Sequence, residues 1–153
     1  MHTPANLLVV DGQGGGIGRQ LVSQLRSLPG PLRITAVGTN SLATQAMMKA
    51  GADVGATGEN AVAVACRSAD IVVGPVGIVI ADSLYGEVTP GMALAIAQCP
   101  ARRVLLPFNH CDNLIAGVEE FSSAKLVQKA VALVQSLLDG DRACAPAPET
   151  PQP

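Results

Sequence analysis

The sequence predicts a three-layer α/β fold in a single domain: a doubly wound, mostly parallel sheet with helices on both faces. Short apolar runs alternate with helical patterns along residues 1–140 of the 153-residue chain, which is the order expected of repeated strand–helix–strand units. Apolar residues make up 48% of the chain and charged residues 14%, as suits strands that are covered on both faces. Aromatic residues reach only 2%, so aliphatic side chains must fill the core.

The first unit is a strand, a glycine-rich loop, a helix and a second strand. Residues 7–10 form a continuous apolar run, which is typical of a buried parallel strand. After the loop, apolar residues recur at helical spacing until the Pro-Gly-Pro sequence at 29–31 ends the helix. Residues 32–37 supply the second strand, which completes a βαβ opening of the length that a dinucleotide-binding fold requires. The apolar helix positions are Ile17, Leu21, Leu25 and Leu28.

The next unit is shorter. We predict that Ser41 caps a helix over residues 42–50, because its side chain can accept a hydrogen bond from the first turn, and that Gly51 follows the helix end. Residues 51–56 then form a brief third strand. Residues 57–66 are predicted to be helical, although the alternation of apolar residues within them is also compatible with a strand.

The second half continues with the same signals. Residues 71–74 form a buried strand, residues 77–81 are predicted as a further strand, and residues 82–88 as a loop or short turn. A helix over residues 89–98 begins with a threonine cap followed by proline at the first helical position. Residues 103–106 provide the last strand.

The last helix and the tail differ in composition. Ser122 or Ser123 caps the helix, which carries one apolar stripe and ends at the Asp-Gly pair at 139–140. Alanine and proline dominate residues 141–153, so we expect a disordered tail after the domain of residues 1–140. The stripe consists of Leu126, Ala130, Leu133 and Leu137.

The segment DGQGGGIGR at residues 11–19 carries the main functional signal. Its glycines allow a ligand to approach the backbone closely, and the N–H groups and positive dipole end of the following helix attract an anion. The alternative is that the glycines serve only the close packing of helix on strand. We predict contacts to the phosphate of a nucleotide from Gly12, Gln13, Gly14, Gly15, Gly16, Ile17, Gly18 and Arg19.

Three further loops follow strands whose carboxyl ends meet at the same edge of the sheet: residues 38–41, 74–77 and 107–113. The end of the second strand is where dinucleotide folds place an acid for the ribose or a base for a 2′-phosphate. Here that segment is neutral, so NAD, NADP and other nucleotides all stay open. The predicted cofactor contacts in these loops are Gly38, Thr39, Asn40, Ser41, Gly74 and Pro75.

Asp11 is unusual beside a phosphate site, because a carboxylate and a phosphate repel each other. We expect it to hold the N–H groups of the loop. The alternative is a metal that accompanies a nucleoside phosphate, but the Lys-Ser/Thr ending of a P-loop is missing after Gly18. The other nearby acids, Asp82 and Glu87, are predicted to lie on the surface.

Residues 108–113, Phe-Asn-His-Cys-Asp-Asn, form the most chemically varied cluster. His110 is a candidate general acid or base, Cys111 a candidate nucleophile, and Asn109 a candidate lining residue. The structural alternative is that these are turn residues and a hydrogen-bonded histidine. The adjacent histidine, cysteine and aspartate lack the ligand spacing of zinc sites, so no metal is predicted.

The glycine loop resembles that of short-chain dehydrogenases. Gly12, Gly16, Ile17 and Gly18 match the GxxxGIG pattern of those enzymes. However, those enzymes use a Tyr-x-x-x-Lys pair, whereas Tyr85 is followed four positions later by threonine. Their chemistry is therefore not implied for this chain.

A closer resemblance covers most of the chain. The stretches DGQGGGIG, TAVGTNS, GADVGATGENAV, IVVGPVGIVIADSLYGEVTP and LLPFNHCDN resemble those of a family of short bacterial Rossmann-like proteins known as a domain of unknown function. The resemblance implies a Rossmann-like fold. It implies no activity, substrate or catalytic residue.

Composition also limits the partners and the location. A net charge of −2 and the scarcity of aromatics argue against a nucleic-acid partner. Residues 1–4 do not resemble the start of a signal peptide. The longest apolar stretch, residues 72–81, is too short to span a bilayer, which takes about 20 residues. We therefore expect a cytoplasmic protein without membrane contact.

Two functional classes agree with the sequence: a nucleotide-binding or sensing module, and a small NAD(P)-dependent or nucleotide-using enzyme with its site at residues 109–111. We expect a homodimer, because residues 74–81 form an apolar stretch that one chain need not cover fully. Free thiols are expected at Cys66, Cys99, Cys111 and Cys144, which form no C-x-x-C pair.

Overall fold

The first and fourth strands form where the sequence has continuous apolar runs. A computed structural model describes residues 3–108, 113–118 and 121–140. Five strands and five α-helices alternate along these residues, and a short 3₁₀ helix, Val76–Val79, follows the fourth strand. The elements are β1 (Ala5–Asp11), α1 (Gly16–Leu25), β2 (Leu32–Gly38), α2 (Ser41–Lys49), β3 (Val54–Thr57), α3 (Glu59–Cys66), β4 (Ile71–Pro75), α4 (Pro90–Gln98), β5 (Arg102–Leu106) and α5 (Ser123–Leu138).

The strands pair in the order β3-β2-β1-β4-β5, and every pairing is parallel. Chain order reverses beside β1, because β2 lies on one side of it and β4 on the other. Loops that leave β1 and β4 therefore diverge and open a crevice at the carboxyl ends of the strands. The predicted doubly wound α/β fold is confirmed.

The side chains of β1 show why its sequence is apolar without interruption. Leu7 and Val9 pack in one core layer with α1, α2 and α5. Leu8 and Val10 pack in the opposite layer with α3 and α4. Successive strand residues point to opposite faces, so a strand covered on both sides needs apolar residues at every position.

The helix starts agree with the sequence in two of three predicted cases. Thr89 accepts a hydrogen bond from the N–H of Met92 at the start of α4, and Ser122 caps α5. The prediction for α2 is wrong by one residue: Asn40, not Ser41, is the cap, because its Oδ1 accepts a hydrogen bond from the N–H of Ala43 at 3.0 Å. Ser41 is the first residue of the helix.

The predicted strand at residues 77–81 is wrong. Pro75 pairs with Leu106, the last residue of β5, so the chain beyond Pro75 has no neighbouring strand to pair with. It turns into the 3₁₀ helix and buries Ile78 in the layer formed by α3 and α4. Of residues 74–81 only Ala81 is exposed. This stretch therefore does not provide the apolar surface on which the prediction of self-association relied.

The buried face of α5 also differs from the predicted stripe. Leu133 is 49% exposed, whereas Val127 and Val134 are buried together with Leu126 and Ala130. Both sets have helical spacing and lie on the same broad apolar face of the helix, so periodicity alone cannot choose between them. The predicted tail at residues 141–153 lies outside the described residues.

Cys66 and Cys99 are buried free thiols, as predicted. Burial raises the pKa of the Cys66 thiol to about 12, and the neighbouring Cys99 adds to the rise. Cys111 and Cys144 lie outside the described residues. Among the helices that the structure describes, none combines the length and the apolar character needed to cross a bilayer.

Candidate functional site

Asp11, the last residue of β1, anchors the glycine loop. Its side chain is buried, with 5% exposed. Its Oδ1 accepts a hydrogen bond from the N–H of Gly12 at 2.8 Å, and its Oδ2 accepts one from the N–H of Gly18 at 2.7 Å. The carboxylate thus joins the start of the loop to the first turn of α1, which confirms that Asp11 orders the loop.

The pKa of Asp11 reflects two opposing effects. Burial raises it above the ordinary value, whereas hydrogen bonds from the backbone at Gly18, Gly12 and Ile17 lower it, and the charge of Glu87 adds to the rise. The N–H groups of Gly12 and Gly18 already serve this carboxylate. An anion at the loop must therefore bind to other donors.

Three glycines of the loop are required by packing within the chain. A Cβ on Gly12 would lie 2.6 Å from Oγ1 of Thr39, and one on Gly18 would lie 2.5 Å from a methionine sulfur of α2. Gly15 has a φ of +71°, and a Cβ there would lie 2.8 Å from Cα of Ala43. These contacts fit the alternative stated for the loop, in which glycine permits close packing.

Gly14 and Gly16 behave differently. A Cβ on either residue would meet no atom within 4 Å, and neither residue has a positive φ. Within the described part of the chain, their N–H groups also have no hydrogen-bond acceptor. Nothing that the structure describes requires glycine at these two positions, and their backbone is open to the crevice.

A cavity of about 470 Å³ lies against the open side of the loop. It brings together the loop after β1, the end of β4, the residues after β5 and the first turn of α5. Its lining therefore combines the backbone of the glycine loop with apolar side chains from other elements. Its lining residues are Asp11, Gly12, Gln13, Gly14, Gly16, Ile17, Gln20, Pro75, Leu84, Phe108, Phe121 and Ser123.

Other residues predicted to contact a ligand do not line this cavity. Arg19 lines a separate groove between α1 and α2, beside Lys49. Residues three apart are neighbours on a helix surface, and Gln20 lines both this groove and the cavity, so the phosphate contact of Arg19 stays a prediction. Gly38 and Gly74 serve packing: a Cβ on Gly38 would meet the Thr44 side chain, and one on Gly74 would meet a backbone oxygen of β1.

The polar side chains that follow β2 bind Glu87. This residue lies in the segment between the 3₁₀ helix and α4. Its Oε1 accepts hydrogen bonds from the N–H of Gln13 at 3.1 Å, from Oγ1 of Thr39 at 2.9 Å and from Nδ2 of Asn40 at 2.5 Å. Burial opposes its ionised form, but these hydrogen bonds outweigh burial and hold the pKa of Glu87 below its ordinary value.

Glu87 is thus a half-buried residue at the end of β2, beside the glycine loop, that the sequence interpretation placed on the surface. The available signal was indirect. The end of β2 is neutral but rich in donors, and the only acids between residues 76 and 89 are Asp82 and Glu87. A carboxylate from that segment is the natural partner for those donors.

Both phenylalanines of the protein line the cavity. Phe108 follows β5 and Phe121 precedes α5, and Phe121 is 37% exposed. The Nζ atom of Lys129 lies 4.9 Å from the centre of the Phe121 ring. In a chain so poor in aromatics, this concentration is the main apolar feature of the site.

The predicted catalytic residues Asn109, His110 and Cys111 lie outside the described residues, so their roles stay predictions. Phe108, the residue before them, lies at the cavity wall. Among residues 3–108, 113–118 and 121–140, no three His, Cys, Asp or Glu side chains lie close enough together to hold a metal ion.

Comparison with known proteins identifies one family. The family described as a domain of unknown function, DUF3842, matches residues 6–139, which include most of β1 and everything from there through α5. No curated protein matches the chain. A solved structure, the dodecameric FMN-dependent Ubix-like decarboxylase from Escherichia coli O157:H7, is similar with a TM-score of 0.42 and 16% identity over 88% of this chain and 94% of that chain. A likeness at this level carries nothing about ligand or assembly.

Proposed function

The chain belongs to the DUF3842 family, a domain of unknown function, and we propose that it binds a nucleotide in the cavity beside Gly14 and Gly16. The observation that carries this proposal is the open backbone of these two glycines, whose N–H groups lack acceptors within the described chain. They lie at the N-terminus of α1, where the helix dipole favours an anion. A phosphate group can accept hydrogen bonds from both.

The apolar lining of the cavity supports a nucleotide over a simple phosphate. Phe108 and Phe121 line the cavity together with Ile17 and Leu84. Aromatic side chains pack well against planar rings, and every nucleobase offers such a face. The volume of about 470 Å³ falls within the roughly 300–1,000 Å³ of typical small-molecule sites.

We propose that the protein is a binding or sensing module. The described lining of the cavity contains no histidine, cysteine or lysine, and the carboxylate of Asp11 is engaged in holding the loop. NAD and NADP, suggested by the βαβ opening, are candidate ligands together with other nucleotides. Location in the cytoplasm is part of this proposal.

The second candidate is a small enzyme that uses a bound nucleotide with Asn109, His110 and Cys111. The observation in its favour is that Phe108, at the cavity wall, directly precedes these residues. Replacing His110 with alanine separates the two functions. An enzyme would lose turnover while keeping its affinity for the nucleotide. A binding module would show no turnover as wild type, and its affinity for the nucleotide would not change.

Thermal unfolding with added ligands tests nucleotide binding. We expect at least one of AMP, GMP, ATP, GTP, FMN, NAD and NADP to raise the Tm, because a ligand of the folded state adds about 2.7 kcal/mol of stability at 100 times its Kd. The variants Gly14→Ala and Gly16→Ala place a methyl group in the ligand space, and we expect each to weaken binding at least tenfold.

Ser23→Ala is the control for this experiment. Ser23 is exposed on α1 and lines the other groove, beside Arg19, so its replacement should leave the affinity unchanged. The proposal fails if no nucleotide stabilises the wild-type protein. It also fails if the alanine variants at positions 14 and 16 bind as tightly as wild type.

We also propose self-association of the chain through β5 and α5. β5 is an edge strand of the sheet, and beside it lies a cavity of about 410 Å³ with a mainly apolar lining that includes Phe121, Lys129 and Leu133. An open sheet edge next to exposed apolar side chains is self-complementary about a two-fold axis.

A further inference from the structure

The segment of residues 82–88, here named the cover loop, closes one half of the crevice. We infer that this loop restricts the site to mononucleotides, and that Glu87 is the residue that sets this selectivity. The inference rests on the nucleotide-binding function proposed above and narrows the class of ligand. Three observations support it: the side chains at the end of β2, the left-handed backbone of the cover loop, and the cavity that the loop leaves open.

A dinucleotide on a doubly wound sheet crosses the whole crevice, with one ribose held at the end of the second strand. In this protein the donors at that place are already used. Thr39 and Asn40 both donate to Oε1 of Glu87. The Nδ2 group of Asn40 also donates to the carbonyl of Gln13 at 2.8 Å.

The cover loop also occupies the space above the start of the glycine loop. A Cβ on Gly12 would lie only 2.8 Å from Cδ1 of Leu84, so the leucine side chain packs directly on the backbone of Gly12. Glu87 reaches across to the N–H of Gln13. A second nucleoside would have to displace both side chains to reach the end of β2.

The backbone shows that this closed position is held by tertiary contacts. Leu84 and Tyr85 have φ values of 55° and 57°, a left-handed conformation that costs about 1–2 kcal/mol for each such residue. Asp82, with a φ of 64°, is of a residue type that tolerates this conformation. Within the loop, the N–H of Asp82 donates a hydrogen bond to the carbonyl of Val88 at 2.8 Å, and the Ser83 hydroxyl donates to the carbonyl of Gly77. The contacts with the glycine loop come from Leu84 on Gly12 and from Glu87, which accepts the N–H of Gln13. Such strain persists only where the surroundings impose it.

The space that remains has room for one nucleotide unit. The cavity is lined by Gly14, Gly16, Phe108 and Phe121, and not by Thr39, Asn40 or Glu87. A phosphate at the two glycines and one planar ring against the two phenylalanines would occupy it. The carboxylate of Glu87 stays ionised at neutral pH, so it also repels the 2′-phosphate of NADP.

Titration calorimetry of the full-length protein tests this inference with AMP, GMP, FMN, NAD and NADP. We expect the wild-type protein to bind at least one mononucleotide at least tenfold more tightly than either dinucleotide. Glu87→Ala removes the side chain that occupies the end of β2, and we expect it to raise the affinity for NAD at least fivefold. Leu84→Ala clears the space above Gly12 without removing a side-chain hydrogen bond. Because Leu84 also lines the cavity, the result is read as the ratio of NAD affinity to mononucleotide affinity, which should rise.

Asp82→Asn is the matched control, because it removes a carboxylate from the same loop at a left-handed position that asparagine tolerates. It should leave the preference for mononucleotides unchanged. If wild type binds NAD or NADP as tightly as any mononucleotide, the inference is overturned while nucleotide binding stands. If the two opening variants gain no NAD affinity relative to mononucleotide affinity, the role of the cover loop is overturned. If no nucleotide binds at all, the proposed function fails and the inference fails with it.

Discussion

At the scale of single residues, the loop glycines test how the site is built. Alanine at position 16 places its methyl group in open space, so we expect the free energy of unfolding to stay unchanged or to rise by about 0.4–1 kcal/mol, because alanine narrows the unfolded ensemble. Alanine at position 15 forces a side chain into left-handed backbone and against Ala43, and we expect a loss of about 1–3 kcal/mol. Urea unfolding measures both values. Equal losses would contradict the division of the glycines into two groups.

The pH dependence of stability tests the anchoring of Glu87. Burial opposes its ionised form, but its hydrogen bonds hold its pKa below the ordinary value of 4.5. This contribution to stability is complete above the unfolded-state pKa and is lost as the pH falls through the folded-state pKa. We therefore expect Glu87→Gln to be about 1 kcal/mol less stable than wild type at pH 7, and the difference to shrink as the pH falls below 4.5.

Urea unfolding at both ends of this pH range measures the effect, with Asp82→Asn as the control. Asp82 is exposed, so its replacement should change stability little at either pH. A loss for the Glu87 variant that is the same at every pH would show that the carboxylate charge contributes nothing.

The sequence indicated the place of the candidate cavity, beside the glycine loop, better than the residues that line it. The glycine loop was identified because strand, loop and helix are continuous in the chain. The sequence could not separate Gly14 and Gly16 from the packed glycines, because that separation depends on side chains from other elements, such as Thr39. Glu87 escaped notice for the same reason, since Gln13, one of its partners, is 74 positions away.

At the scale of elements, the start of α4 gives a further prediction. Oγ1 of Thr89 accepts the N–H of Met92 at 3.1 Å and donates to Oε1 of Glu59 on α3 at 2.6 Å. Thr89→Ala removes both hydrogen bonds, and we expect it to lower the free energy of unfolding by about 1–2 kcal/mol. Thr89→Ser keeps the hydroxyl and should retain most of the stability. Thermal and urea unfolding of the two variants provide the comparison, and equal losses would exclude a capping role for the hydroxyl.

Elements were predictable wherever the local signals agreed. α4 combines a threonine cap with proline at its first position, and its predicted limits hold. The 3₁₀ helix Val76–Val79 was predicted as part of a strand because its residues are apolar. Whether an apolar run becomes a strand depends on a neighbour to pair with, and β5 ends opposite Pro75. The sequence of the apolar run does not show whether a neighbouring strand is available, because that depends on the arrangement of the whole sheet.

At the scale of the whole molecule, the fold could be predicted because each strand and helix in turn supplies apolar surface for one of two layers. The continuous apolar residues of β1 pack in both core layers. Such a strand is typical of the interior of a parallel sheet. The sequence does not indicate which surfaces stay uncovered. On α5, for example, Leu133 belongs to the apolar face of the helix but is 49% exposed.

The exposed side chain of Leu133 leads to the last prediction, which concerns self-association. We expect a dimer at micromolar concentration, because the edge of β5 and the cavity beside α5 can meet the same surface of a second copy. Leu133→Glu places a charge in that contact and should give monomers. Leu94, which is 56% exposed on α4 at the opposite face of the sheet, provides the control, since Leu94→Glu should leave the dimer intact. Size-exclusion chromatography with light scattering measures the masses. A monomeric wild type, or equal dissociation by both variants, would exclude an interface at β5 and α5.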